Sequence, residues 1–202
     1  MRRVLLLLAV VLAGAASAVS AQTGARMEVM VDPATRDPLA RVRSLMDDER
    51  WREALDDAFR ISLTWRVDLY RVRPFWVPAN EGRVELTIVI RREPLLGQYY
   101  ITYFPPGEEP LEKEFTSFEA FVLELEQPLP IRGLAPRSEG EYYYAASLKI
   151  SALDDKQFAE MQRFIGEGGR SGTGNAIATF IYKLVGVPTQ NLSDRSERFR
   201  VP

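Results

Sequence analysis

The sequence predicts an α+β domain: an antiparallel β-sheet, flat or folded into a sandwich, with helices at its periphery. Three observations carry this. Several segments alternate strictly between apolar and polar residues, the pattern of a strand with one buried face. The breaks between them are short and rich in Gly, Pro and Asn, which suits hairpins better than crossover helices. A few other segments carry apolar residues at helical spacing behind an acidic or hydroxyl start.

Taken in order, Met27, Val29 and Val31 alternate with polar neighbours and predict a short first strand ending at Asp32 and Pro33. Residues 47–58 read as a helix with acids in the first turn and Trp51, Ala54, Leu55 and Ala58 on one side. From Ile61, the set Ile61, Leu63, Trp65, Val67 and Leu69 alternates with Ser62, Thr64, Arg66, Asp68 and Tyr70, predicting one buried and one wet face. Phe75, Trp76, Pro74 and Pro78 close that strand. Asn80, Glu81 and Gly82 read as a turn before a second run, Val84, Leu86, Ile88 and Ile90, which ends near Pro94. A third strand covers 98–104, and Pro105, Pro106 and Gly107 break the chain. Thr116 and Glu119 form a capping box for a helix bearing Phe118, Phe121, Val122 and Leu125, stopped by Pro128 and Pro130. The strand 142–150 sets Tyr142, Tyr144, Ala146, Leu148 and Ile150 against Tyr143, Ala145, Ser147 and Lys149. Two helices follow, one from Asp154 with Phe158, Met161, Phe164 and Ile165, and one with Ile177, Phe180, Ile181, Leu184 and Val185 before Gly186 and Pro188. The tail from Thr189 is polar.

The N-terminus has the order of a secretory signal peptide. Arg2 and Arg3 precede the apolar run 4–12, and small residues follow through Ala18. Cleavage after Ala18 or Ala21 fits the pattern, and the second leaves Gln22 at the start of a polar stretch. The apolar run is short for a membrane span of about 20 residues. This divides the chain into a leader at 1–21, an α+β domain at 22–165, a flexible glycine-rich loop at 166–174, and a C-terminal helix and tail at 175–202. The expected location is outside the cytoplasm, periplasmic or extracellular.

Composition narrows the chemistry. The 202 residues hold 26 basic and 28 acidic side chains; losing Arg2 and Arg3 leaves 24 against 28, a net charge of −4 that does not suit a nucleic-acid binder. With no Cys, the fold has no disulfides and no lipid-attachment cysteine. With no His, it lacks the usual general base near neutral pH and the commonest metal ligand. No calcium loop of Asp-x-Asp-x-Asp-Gly type occurs. The expectation is therefore no cofactor, no metal and no assigned catalytic residue.

Ala54 and Leu55 leading into the alternating strand 61–71, the stretch Arg91-Arg92-Glu93-Pro94-Leu95-Leu96-Gly97-Gln98-Tyr99, the segment 115–125 and Gly140-Glu141-Tyr142-Tyr143-Tyr144 together span most of residues 45–165. In these stretches the chain resembles the bacterial family catalogued as domain of unknown function 4390, a group of exported proteins without an assigned activity. The resemblance implies an exported location and an envelope or signalling role. It transfers no active-site residue.

Each candidate site has a plainer alternative. The loop 166–174 follows a helix and lacks the Walker lysine, so a linker explains it better than a phosphate cradle. Asp154 with Asp155, or Glu112 with Glu114, are too close in sequence for a glycosidase pair at about 5–10 Å; helix-start electrostatics and a solvated loop account for them. Ser147 and Lys149 share a strand face, as any polar pair on that face would. The aromatic set Tyr70, Phe75, Trp76, Tyr99, Tyr100, Tyr103 and the triplet 142–144 is expected mostly to fill the core. Where Tyr70 runs into Phe75 and Trp76 beside Arg66, Arg71 and Arg73, an exposed binding face is the candidate. The last helix is expected to dock on its own sheet, with peripheral contact to a membrane or partner as the alternative.

The functional expectation is a non-enzymatic module that binds another envelope or membrane protein through Arg66, Tyr70, Arg71, Arg73, Phe75 and Trp76. The alternatives are a carboxylate-based hydrolase acting on envelope glycans, which requires two converging acids, and a saccharide- or lipid-binding domain.

Overall fold

The computed structural model describes residues 24–153, 159 and 189–202. The expected leader, the glycine-rich loop and the last helix lie outside the described residues, as does the helix expected from Asp154 apart from Ala159. Within the described residues the fold is the α+β arrangement expected, antiparallel throughout, with two helices beside the sheets.

A first hairpin joins β1 (Arg26–Val31) to β2 (Pro38–Arg43). Asp32 shapes its turn: the carboxylate accepts from the Ala34 N–H at 2.8 Å, the Asp32 N–H reaches the Asp37 carbonyl at 2.9 Å, and Arg36 takes a left-handed φ of 64°. β2 was not expected. Arginines and a proline mask it in sequence, yet only Pro38, Ala40 and Val42 need face the core, while Arg41 pairs with Glu28 across the hairpin. A two-residue strand, β7 (Leu129–Pro130), completes this 3-stranded sheet.

The larger sheet is a meander of β3 (Arg60–Arg71), β4 (Ala79–Glu93), β5 (Gln98–Phe104) and β6 (Leu111–Phe115), with β8 (Gly140–Leu153) on the other side of β3. β9 (Thr189–Arg195) and β10 (Phe199–Val201) both pair with the far edge of β8. Three expectations are corrected here. Asn80, Glu81 and Gly82 are not a turn; they lie inside β4, where Leu69 faces Gly82 and Tyr70 faces Asn80, so Glu81 is absorbed as a bulge. Glu112 and Glu114 lie on β6 and not in a loop; each side chain is held by β5, Glu112 by Thr102 at 2.9 Å and Glu114 by Gln98 at 2.5 Å. The polar tail from Thr189 is an edge strand, which needs few apolar residues because its backbone bonds to β8.

Helix α1 (Glu49–Asp56) starts at Asp48, whose side chain accepts from the Arg50 N–H, and buries Trp51, Ala54 and Leu55. Ala58, expected on its stripe, lies past its end with φ of 62°. Helix α2 (Phe118–Leu125) is capped by Ser117, one residue later than expected: the Ser117 hydroxyl accepts from the Ala120 N–H at 3.2 Å and donates to Glu119 at 2.9 Å.

One face of the large sheet forms the core. Ile61, Leu63, Trp65, Val67 and Leu69 of β3, with Tyr142, Tyr144, Ala146, Leu148 and Ile150 of β8, are all buried as the alternation predicts. The small sheet and α2 cover this face. Tyr144 ties the layers together by donating to the Arg36 carbonyl at 2.6 Å and the Leu134 carbonyl at 3.1 Å. The Val29 N–H reaches Asp194 at 2.9 Å, and the Trp51 indole donates to Gln190 at 2.9 Å, so the C-terminal strands are built into the same core. Under α2, Phe121 stacks on Tyr99 with ring centroids 5.2 Å apart and meets Phe115 edge-on. The opposite face of β3 is not wet throughout: Ser62 is buried beside its register partners Val89 and Ser151, and Asp68 is buried by charge pairing.

Candidate functional site

The six expected binding residues do not share one face. Odd and even positions of β3 point to opposite sides, so Arg66 and Tyr70 lie on the outer face while Arg71 lies on the core side. Tyr70 stacks on Tyr143 at 5.3 Å between centroids, and the Arg195 guanidinium sits 3.9 Å over the Tyr143 ring. Arg71 donates to the Glu139 carbonyl at 2.7 Å and lies against Tyr142. These two contacts hold the upper end of the sheet and leave Tyr70 and Arg71 half-buried.

Asp68 is the electrostatic centre of the outer face. Only 7% exposed, it accepts from Arg83 at 2.7 Å, Asn80 at 2.8 Å and Arg66 at 3.2 Å. Arg66 is thereby committed to the sheet. A carboxylate this buried is tolerated because its oxygens are filled with charged and amide donors. The sequence showed Asp68 only as one polar residue in an alternating run, with nothing to mark it as the hub.

The remaining three residues come together at the β3–β4 hairpin. Pro74 and Pro78 bracket Phe75, Trp76 and Val77, which are 105%, 80% and 83% exposed. Phe75 takes a left-handed φ of 64°, a costly conformation for a bulky side chain, and a turn bond from the Trp76 N–H to the Arg73 carbonyl at 3.3 Å closes the tip. Arg73 is exposed beside them. The other aromatics named from sequence are withdrawn from solvent: Tyr142, Tyr143 and Tyr144 are buried, and Tyr70, Tyr99, Tyr100 and Tyr103 are half-buried.

A groove of about 530 Å³ lies elsewhere, on the core side between the small sheet and α2, floored by Leu63, Trp65 and Leu86. Its lining includes Glu108, Glu109 and Glu124, the residue type whose convergence a glycan hydrolase requires. Glu124 is committed to Lys113 at 2.6 Å and accepts from the Tyr103 hydroxyl at 3.3 Å. Burial, with the Glu124 charge beside it, pushes the Tyr103 phenol well above its ordinary value. Outside the groove, three carboxylates are held below their ordinary values by hydrogen bonding: Asp32 by the Ala34 N–H, Asp48 by the Arg50 side chain, and Glu119 by its own backbone N–H. Burial holds the Lys149 amine below its ordinary value, while Ser147 on the same face is exposed. Asp154 and Asp155 lie outside the described residues.

Among the described residues, no group of three or more Asp or Glu side chains is placed to hold a metal ion, and no helix is long and apolar enough to cross a membrane. No known family model, curated protein or solved structure matches the chain.

Proposed function

We propose that this chain is an exported envelope module that binds another protein by inserting the Phe75-Trp76-Val77 hairpin tip into an apolar pocket of its partner, with Arg73 at the rim. The observation that carries this reading is the run of three large apolar side chains held in solvent between two prolines. Tryptophan and arginine are enriched among residues that dominate interface energy, and a proline-bracketed tip loses little entropy on docking. Burying Phe75 and Trp76 would remove about 300–500 Å² from water, a gross gain of about 8–12 kcal/mol. Association costs about 4–15 kcal/mol, so the tip alone supports a weak, transient complex and a tight one needs contacts around it.

The exported address rests on the leader pattern at 1–21 and on the sequence resemblance described above. The hydrolase alternative is disfavoured by the commitment of Glu124, one of the three groove acids, to Lys113. The test is crosslinking and affinity capture from an envelope extract, comparing the native chain with Arg73→Ala plus Trp76→Ala. A partner captured by the first and lost by the second supports the reading; capture unaffected by the substitutions overturns it.

A further inference from the structure

The β3–β4 hairpin is longer than its neighbour. β4 pairs with β3 from Ala79 onward, but β5 reaches only from Glu93 to Thr87, because Phe104, opposite Thr87, is followed by Pro105 and Pro106. Proline cannot donate to a ladder, so β5 stops there. Among the described residues, the stretch from Ala79 to Leu86 therefore has a strand on one side only. Exposed edges are commonly blunted by charge, as on β6, where Glu112, Lys113 and Glu114 are consecutive. The open part of β4 carries its charges, Arg83 and Glu85, on the outer face and sets Gly82, Val84 and Leu86 on the core side, where Val84 and Leu86 line the groove described above.

From this geometry we infer a second binding site, separate from the hairpin tip: an extended peptide segment adds to β4 alongside Ala79–Leu86, in line with β5, and places alternate apolar side chains in the groove. Added strands bind through main-chain hydrogen bonds, with specificity supplied by pockets for every second side chain. A strand continuing β5 has that spacing. Charge defines the occupant further. Arg41 is paired with Glu28 and Lys113 with Glu124, whereas Glu108 and Glu109 stand exposed at the mouth with Arg132 as the opposing charge. The site accordingly suits a segment of alternating apolar residues carrying a lysine or arginine at the end that meets Glu108 and Glu109.

The test uses chain 22–202 and a fluorescein-labelled heptapeptide of alternating valine and threonine with a terminal lysine, followed by anisotropy. Comparison peptides carry glutamate in place of the lysine, or backbone N-methyl groups on one or the other set of alternate residues. The site predicts saturable binding of the lysine peptide, abolished by N-methylation in one phase and retained in the other. It also predicts binding about tenfold tighter than for the glutamate peptide at low salt, a preference lost in Glu108→Gln plus Glu109→Gln. Leu86→Glu should abolish binding and Trp76→Ala leave it unchanged. The two N-methylated peptides need no substitution in the protein, so they decide the matter even if Leu86→Glu destabilises the fold. Absence of saturable binding, equal sensitivity to both methylation phases, or a sedimenting dimer that the peptide does not dissociate overturns the proposal.

Discussion

Replacing Asp68 by Ala removes the one carboxylate that organises the outer face, and its cost can be worked from the contacts. Three donors converge on it, from Arg83, Asn80 and Arg66, and its side chain is 10% exposed. Hydrogen bonds to charged groups contribute about 1.5–3 kcal/mol each, so simple addition would give about 5–9 kcal/mol. That sum is too large. The two arginine side chains are 43% and 44% exposed and can turn to water once the acid is gone, so little buried charge is stranded. A net destabilisation of about 1.5–3 kcal/mol is expected, which for a chain of this size lowers Tm by about 3–12 °C. Urea unfolding followed by tryptophan fluorescence measures it, with the denaturant slope unchanged because the exposed area is the same. A loss below about 0.5 kcal/mol would place the cluster with ordinary surface ion pairs and refute the view that Asp68 anchors the outer face.

Three other substitutions test separate parts of the structure. Phe121→Ala empties the centre of the aromatic cluster under α2 and should cost about 3–5 kcal/mol by chemical denaturation; a loss under 1 kcal/mol would show that the cluster does not fasten the helix. Tyr144→Phe keeps the ring but leaves the Arg36 and Leu134 carbonyls without their shared donor, predicting a loss of about 1–3 kcal/mol and faster amide exchange in the 131–139 loop. Asp48→Ala removes the α1 cap at an expected cost of about 0.5–2 kcal/mol. Because the Arg50 side chain holds the folded Asp48 carboxyl below its ordinary value of 3.8, this contribution is present above pH 3.8 and disappears as pH falls through the folded value. A pH titration of the wild-type-minus-variant stability should therefore be flat near neutrality and collapse in acid; a difference that grows in acid contradicts the assignment.

Much of the fold is written in local pattern. The Ile61 run predicts the buried side of β3 residue by residue, because a period of two leaves no freedom once one face is apolar. β5 is delimited by Gly97 and the prolines after Phe104, and Trp51 and Leu55 mark the face of α1. The elements that escape are those whose partners lie far away in sequence. β2 hides because Arg41 and Arg43 dominate its composition while only Pro38, Ala40 and Val42 are buried. β9 and β10 hide because an edge strand is specified by the free backbone of β8 and not by its own side chains. The same limit applies to the site. Phe75 and Trp76 are legible as an aromatic stretch between prolines, and the period of two already sets Arg66 and Arg71 on opposite faces, but nothing local shows that Asp68 claims Arg66. The open edge of β4 depends on where a neighbouring strand stops, a tertiary fact visible in sequence only as two prolines without a register.

The central claim, binding through the hairpin tip, is tested most directly by pairing stability with partner capture for Arg73→Ala plus Trp76→Ala. Both side chains project into solvent, so the unfolding free energy should stay within about 0.5 kcal/mol of the native chain. Loss of a hot-spot aromatic should weaken partner binding by at least about 2 kcal/mol, roughly 30-fold. Unchanged stability with lost capture is the predicted result; capture that survives in the doubly substituted protein contradicts it.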